Sequence, residues 1–143
     1  MQNDERGAAL LEFALVFGIF VFVLYGLIAF GMILSMKQTI THAAAEGARA
    51  AIGVAQGDTT PANGVDDRID AAKARVNSAL SAWNTAQKAQ TAVAVTFPAS
   101  CPTSCIEVHI TYNYKNQPLV PPAPGLGLVT PDTLSSDAIV ALS

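Results

Sequence analysis

The chain has 143 residues, 51% of them hydrophobic and 13% charged, with a formal charge of −3. Its 8 lysines and arginines are scattered and form no basic stripe to track phosphates, so nucleic acid is excluded as a partner. The length is that of one ordinary domain, but the hydrophobicity is concentrated towards one end.

From Phe13 to Leu34, "FALVFGIFVFVLYGLIAFGMIL" carries no charge, and as a helix it spans about 33 Å, the thickness of a bilayer core. Gly18, Gly26 and Gly31 interrupt it, which lipid tolerates because a helix satisfies its own backbone. The preceding "MQNDERG" is polar and contains acids. It is unlike the basic start of a secretory signal, so the span is expected to stay in the mature chain. Ala14 with Gly18, and Gly31 with Ser35, are four apart and make small flat patches suited to helix packing. Beyond the span, Met36, Ile40, Ala44, Ala48 and Ala51 keep helical spacing, which predicts one helix continuing to about Gly53. Its alanine-rich outer half, with Gly47 among the small residues, is narrow enough to approach another helix or to pack on its own domain, on different faces.

Residues 56–64, "QGDTTPANG", read as a loop, after which Asp66 or Asp67 can start a second helix. Ile69, Ala72, Val76, Leu80 and Trp83 then form one apolar stripe, predicting a helix to about Lys88 with Trp83 in the core. The period changes to two at Val93, Val95 and Phe97, and again at Ile106, Val108, Ile110, Tyr112 and Tyr114, predicting two antiparallel strands. Glu107, His109, Thr111 and Asn113 fall on the solvated face, so His109 is read as an exposed strand residue. Residues 117–131 are too rich in proline and glycine for a regular element, and their apolar side chains, Leu119, Val120, Leu126, Leu128 and Val129, suit covering the sheet edge or a neighbour. "LSSDAIVALS" is a plausible third strand. The predicted fold class is α+β: a long N-terminal helix, transmembrane in its first half, packed with an amphipathic helix and a small antiparallel sheet of 2–3 strands.

Cys101 and Cys105 enclose "PTS" in a turn between strand-like runs, where a disulfide would hold the strands together. Closing so short a loop stabilises by about 2 kcal/mol on the chain-entropy model. Two thiols can instead bind metal, but His42 and His109 lie far off without finger-like spacing, and the disulfide is favoured. That places the C-terminal part in an oxidising space and the N-terminus in the cytoplasm; Arg6 and Lys37, one on each side of the span, decide little about orientation.

No pattern carries catalysis. "PGLGL" lacks the strand-to-helix context of a dinucleotide site, and Asp66, Asp67 and Asp70 fit a helix start better than a calcium site. No catalytic residue, cofactor or metal site is expected, and the chain is not expected to be an enzyme.

Glu12 is the exception to an apolar neighbourhood. In the first turns of a membrane helix its carboxylate is partly wet and favoured by the helix dipole; if assembly buries that end, the ion is costly without a cationic partner.

Gly7 followed by "AALLEFALV" and an uninterrupted span resembles the class III signal of type IV pilins and pseudopilins. The pair Glu12 and Phe13 is similar to the Flp, or type IVb, branch. The continuation, with the small-residue run Ala44 to Ala51 including Gly47, resembles the TadE-like family of minor pilins. The sequence differs from the usual pattern in the acidic Asp4 and Glu5 and in lacking a proline within the span. The resemblance implies cleavage between Gly7 and Ala8 by a membrane aspartic prepilin peptidase, pairing of the new Ala8 amine with Glu12, and single-pass residence in the bacterial inner membrane. It further implies assembly with other pilins and minor pilins of the tight-adherence machinery, on an inner-membrane platform within the lipid bilayer. The expected organisation is a leader at 1–7, a transmembrane and assembly helix at 8–53 and a small periplasmic domain at 54–143. Two alternatives stay open: an uncleaved bitopic anchor with a partner-binding periplasmic domain, and a type II secretion pseudopilin.

Overall fold

The computed structural model describes residues 2–54, 63–99, 105–121 and 130–141. In chain order the elements are α1 (Gln2–Ile52), α2 (Asn63–Ala79), α3 (Thr85–Ala89), β1 (Thr91–Thr96), β2 (Cys105–Asn113) and β3 (Thr133–Ala141). The α+β class, the long first helix and the small antiparallel sheet are as expected from the sequence.

α1 runs for 51 residues without a break, because its polar, apolar and alanine-rich stretches are all free of proline and differ only in what surrounds them. It ends near Gly53, whose N–H still reaches Arg49 O at 3.4 Å. The helix is long and apolar enough to cross a membrane.

The second predicted helix is two. After Ala79 the chain tightens into three-residue turns, with Ser81 N–H donating to Ser78 O (3.1 Å) and Trp83 N–H to Leu80 O (3.0 Å). Asn84 then restarts a helix through a capping box: its side chain accepts from Gln87 N–H (2.8 Å) while Gln87 Oε1 accepts from Asn84 N–H (3.0 Å). Periodicity alone carried the stripe through this point because Leu80 and Trp83 stay on the core side of the turn; the break is a local capping decision that outcompetes helix continuation.

The sheet order is β1-β2-β3, both pairs antiparallel. β2 is central and its alternate residues Ile106, Val108, Ile110 and Tyr112 are fully buried, as a strand with one covered face requires. The core lies between that face, Ile40, Ala43, Ala44, Ala48 and Ala51 of α1, and Ala72, Val76 and Leu80 around α2. Trp83 packs edge-on against Tyr112, ring centroids 5.4 Å apart, so its predicted core position holds, although it keeps a half-exposed edge. β3 is tied to α1 by two polar contacts, Lys37 Nζ donating to Ser135 O and Ser136 Oγ to Thr41 Oγ1. The loop at 55–62, Cys101 with its turn, and Leu126, Leu128 and Val129 lie outside the described residues.

Candidate membrane and assembly surface

α1 divides into a bare half and a covered half. Gly7 to Leu24 is exposed at every position, with Leu10 at 69% and Leu24 at 45%. Ala8 and Glu12 stand one helical turn apart on the same side, the spacing at which helix side chains meet. Glu12 makes no ion pair among the described residues. Phe13 stacks on Phe17 one turn above, centroids 5.7 Å apart. A methyl group added at Gly7, Gly18 or Gly31 would meet nothing within 4 Å, and Ala14 and Ser35 are exposed, so the Ala14 and Gly18 patch lies on open helix surface, while in the second patch Ser35 also borders the groove beside Leu119.

The upper half is different. Ala44, Ala48 and Ala51 have no exposed surface, and Gly47 is buried against α2. A Cβ there would lie 2.6 Å from Val76 Cγ2 and 3.2 Å from Ala72 O. The absent side chain is therefore what lets α2 approach, and the small-residue run is occupied by the chain's own domain. Glu46, beside it, accepts two hydrogen bonds from Arg75 of α2 (3.1 and 2.8 Å) and one from Arg49 (3.4 Å). The Arg75 hydrogen bonds, more than the nearby positive charges of Arg75, His42 and Arg49, hold the Glu46 carboxyl below the usual range despite partial desolvation.

Between the halves the segment after β2 reaches back along the helix. Tyr25 Oη donates to Pro121 O, and Leu119 shares a shallow groove with Met32, Ser35, Met36, Trp83 and Gln87. On this side Ala29, Ile33 and Met36 are buried, while Leu27, Phe30 and Leu34 on the other side of α1 remain exposed. The 22-residue-long apolar run of the sequence thus bears lipid-like exposure all round only in its first half.

Residues 7–49 match the TadE-like protein family. The family is one associated with Tad pili. The TadE-like segment coincides with α1 from Gly7 to the last turn before Ile52 and leaves α2, α3 and the sheet outside it. Within it lie Glu12, the bare apolar surface and the first part, Ala44 to Arg49, of the small-residue run that seats the domain. No curated protein and no solved structure matches the chain.

Beyond the TadE-like segment, the outer sheet face holds an arrangement that sequence reasoning missed. His109 Nδ1 is paired with the Asp137 carboxylate, and His109 Nε2 lies 2.8 Å from Thr111 Oγ1. The sequence shows His109 as a solvated strand residue, which it is, 43% exposed. Its partners depend on β2 and β3 pairing in the register that sets His109 opposite Asp137, and register is invisible in either strand alone. This trio stands on an open face beside Ala94 of β1, and its chemistry is that of an oriented imidazole on a strand surface. Cys105, buried at the start of β2, is not a free thiol; Cys101 lies outside the described residues. Among the described residues no cluster of three or more metal-ligating side chains occurs.

Proposed function

We propose that the chain is a minor pilin, or pseudopilin, of a Tad/Flp-type pilus and secretion system, acting by assembly and not by catalysis. The observation that carries this reading is the bare lower half of α1: an apolar helix surface exposed from Leu10 onward, inside the TadE-like match, with Glu12 one turn above Ala8. Such a surface is satisfied by lipid before assembly and by neighbouring helices after it.

In this reading prepilin peptidase cuts between Gly7 and Ala8, leaving a positive α-amine on Ala8. Glu12 is the carboxylate that pairs with such an amine, in its own subunit or in the next, and so fixes the depth at which each helix enters the bundle. Phe13 and the small patches at Ala14, Gly18, Gly31 and Ser35 shape the helix contacts. The N-terminus is cytoplasmic and the domain periplasmic, where a Cys101–Cys105 disulfide closes the turn before β2. The partners are the peptidase, other pilins and minor pilins, the inner-membrane assembly platform and the bilayer.

Mass spectrometry of the mature N-terminus tests processing: the expected chain starts at Ala8, and an intact "MQNDERG" start in peptidase-competent, piliated cells refutes it. Glu12→Ala tests registration, and unchanged pilus formation with normal cleavage removes Glu12 from the mechanism.

A further inference from the structure

The soluble part of the chain extends further down α1 than a bilayer leaves room for if that part stands wholly in water. The contact that fixes this is Tyr25 Oη donating to Pro121 O. At about 1.5 Å per residue, Glu12 and Tyr25 are about 20 Å apart along the axis, whereas a hydrocarbon core is about 30 Å thick. With Glu12 held at the headgroups of one leaflet, Tyr25 and Pro121 lie about 10 Å inside the other boundary. Raising Pro121 into water would draw the Glu12 carboxylate, together with any amine paired to it at Ala8 about 6 Å away, into hydrocarbon, where charged groups are costly even as a pair. The free side of α1 agrees with the deeper placement: Leu27, Ile28, Phe30 and Leu34 remain 72%, 54%, 49% and 54% exposed, and Glu12 to Leu34 covers about 33 Å, a full core.

Two features of the segment that enters lower its backbone cost in lipid. Lipid demands that backbone polar groups find partners within the protein. Pro118 and Pro121 have no N–H to satisfy. The Pro121 carbonyl takes the Tyr25 hydroxyl, and the Gln117 carbonyl takes the Tyr112 hydroxyl at 2.6 Å. Leu119 and Val120 are apolar and half-buried. Trp83 borders the groove with Ser35 and Met36, just beyond Leu34, at the level where tryptophan favours a lipid–water boundary.

We propose that residues 118–121 are inserted in the leaflet on the domain's side of the bilayer, pinned to α1 through Tyr25, with Trp83 marking the boundary; the partner of this surface is lipid. The inference rests on α1 spanning a bilayer, not on assembly into a filament. The insertion, confined to one leaflet, holds the domain against the membrane and leaves the first half of α1 free on all sides.

The test uses the full chain reconstituted in vesicles of phosphatidylethanolamine and phosphatidylglycerol. Resistance to alkaline carbonate extraction first establishes that α1 is inserted, so a failure of the spanning reading is seen separately. Trp83 is the chain's single tryptophan and serves as the native reporter. In vesicles whose acyl chains are brominated near the headgroup it is expected to lose emission, while aqueous acrylamide quenches it weakly. Val120→Asp is expected to restore emission in the brominated vesicles and increase quenching by acrylamide, whereas Val120→Ile leaves both unchanged. Equal emission in brominated and plain vesicles overturns the proposal, as does bromine quenching that Val120→Asp leaves intact in a folded chain. Protection of Trp83 from both quenchers would show that protein and not lipid covers it, and overturns the lipid assignment equally.

Discussion

Gly47→Ala isolates what holds the domain on α1. The added methyl would sit 2.6 Å from Val76 Cγ2, 3.2 Å from Ala72 O and 3.5 Å from Val108 Cγ1. Ala72, Val76 and Val108 are fully buried, and a valine methyl cannot swing away at low cost because two branches restrict its rotamer. Overpacking of this kind costs about 1–3 kcal/mol, and the better helix propensity of alanine returns about 1 kcal/mol. The expected net loss is about 0–2 kcal/mol. Gly31→Ala is the control, since a methyl there meets nothing within 4 Å and only the backbone gain applies. The two variants should therefore differ by about 1–3 kcal/mol, at about 4–8 °C of melting temperature per kcal/mol for a domain of this size. Thermal unfolding of the full chain in detergent micelles, followed by Trp83 fluorescence, reads the difference. Val76→Ala made in the Gly47→Ala background completes a cycle: trimming the valine opens room for the new methyl, so the double variant should be more stable than the sum of the single changes by about 1 kcal/mol. Additive losses, or a Gly47→Ala chain as stable as Gly31→Ala, would show that α1 and α2 are not in the close approach described.

Three further outcomes are expected from the domain. The Glu46 carboxyl is held below its usual range, first by the Arg75 hydrogen bonds, so its stabilisation is present above the ordinary carboxylate value and is lost as pH falls through the depressed one. Stability measured against pH should show that acid loss, and Glu46→Gln should remove its share; an unaltered acid limb in the variant contradicts the assignment. Asn84→Ala removes the cap that restarts the chain as α3 and is expected to cost about 1 kcal/mol in chemical unfolding, with Asn84→Asp nearly neutral. Burial, and secondarily the neighbouring Tyr114, pushes the Tyr112 phenol above its ordinary value. The stability this contributes is complete below the ordinary phenol value and is lost as pH rises through the raised one. Tyr112→Phe, which deletes the bond to Gln117 O, should cost about 0.5–1.5 kcal/mol and remove from an alkaline absorbance titration a tyrosine signal raised above the ordinary phenol value.

Much of this molecule is determined locally and is therefore legible in its sequence. An apolar run without charge or proline forms a helix and seeks an apolar environment whatever follows it, which is why α1 and its end near Gly53 could be placed from composition and spacing. The same holds for Ile106 to Tyr112, where an alternating pattern beside a covered face leaves one solution for β2, and for Glu12, whose position five residues after Gly7 is a property of the chain alone. The capping box at Asn84 and Gln87 was also written in the sequence, but an apolar stripe that continues across a turn masks it.

Tertiary structure alone decided which surfaces these elements spend on each other. Small residues at Ala44, Gly47, Ala48 and Ala51 suit any close neighbour, and only the approach of Val76 shows that the neighbour is the chain's own α2. His109 acquires Asp137 through β2–β3 register, a relation between segments that neither segment encodes. The apolar span reads as uniform, yet its last turns are roofed on one side by Leu119 and Pro121, because a contact between residues nearly a hundred positions apart depends on how the loop returns from the sheet. Helix propensity and hydropathy act along the chain, whereas packing acts across it, and how far the domain covers the apolar helix in this protein is set by packing.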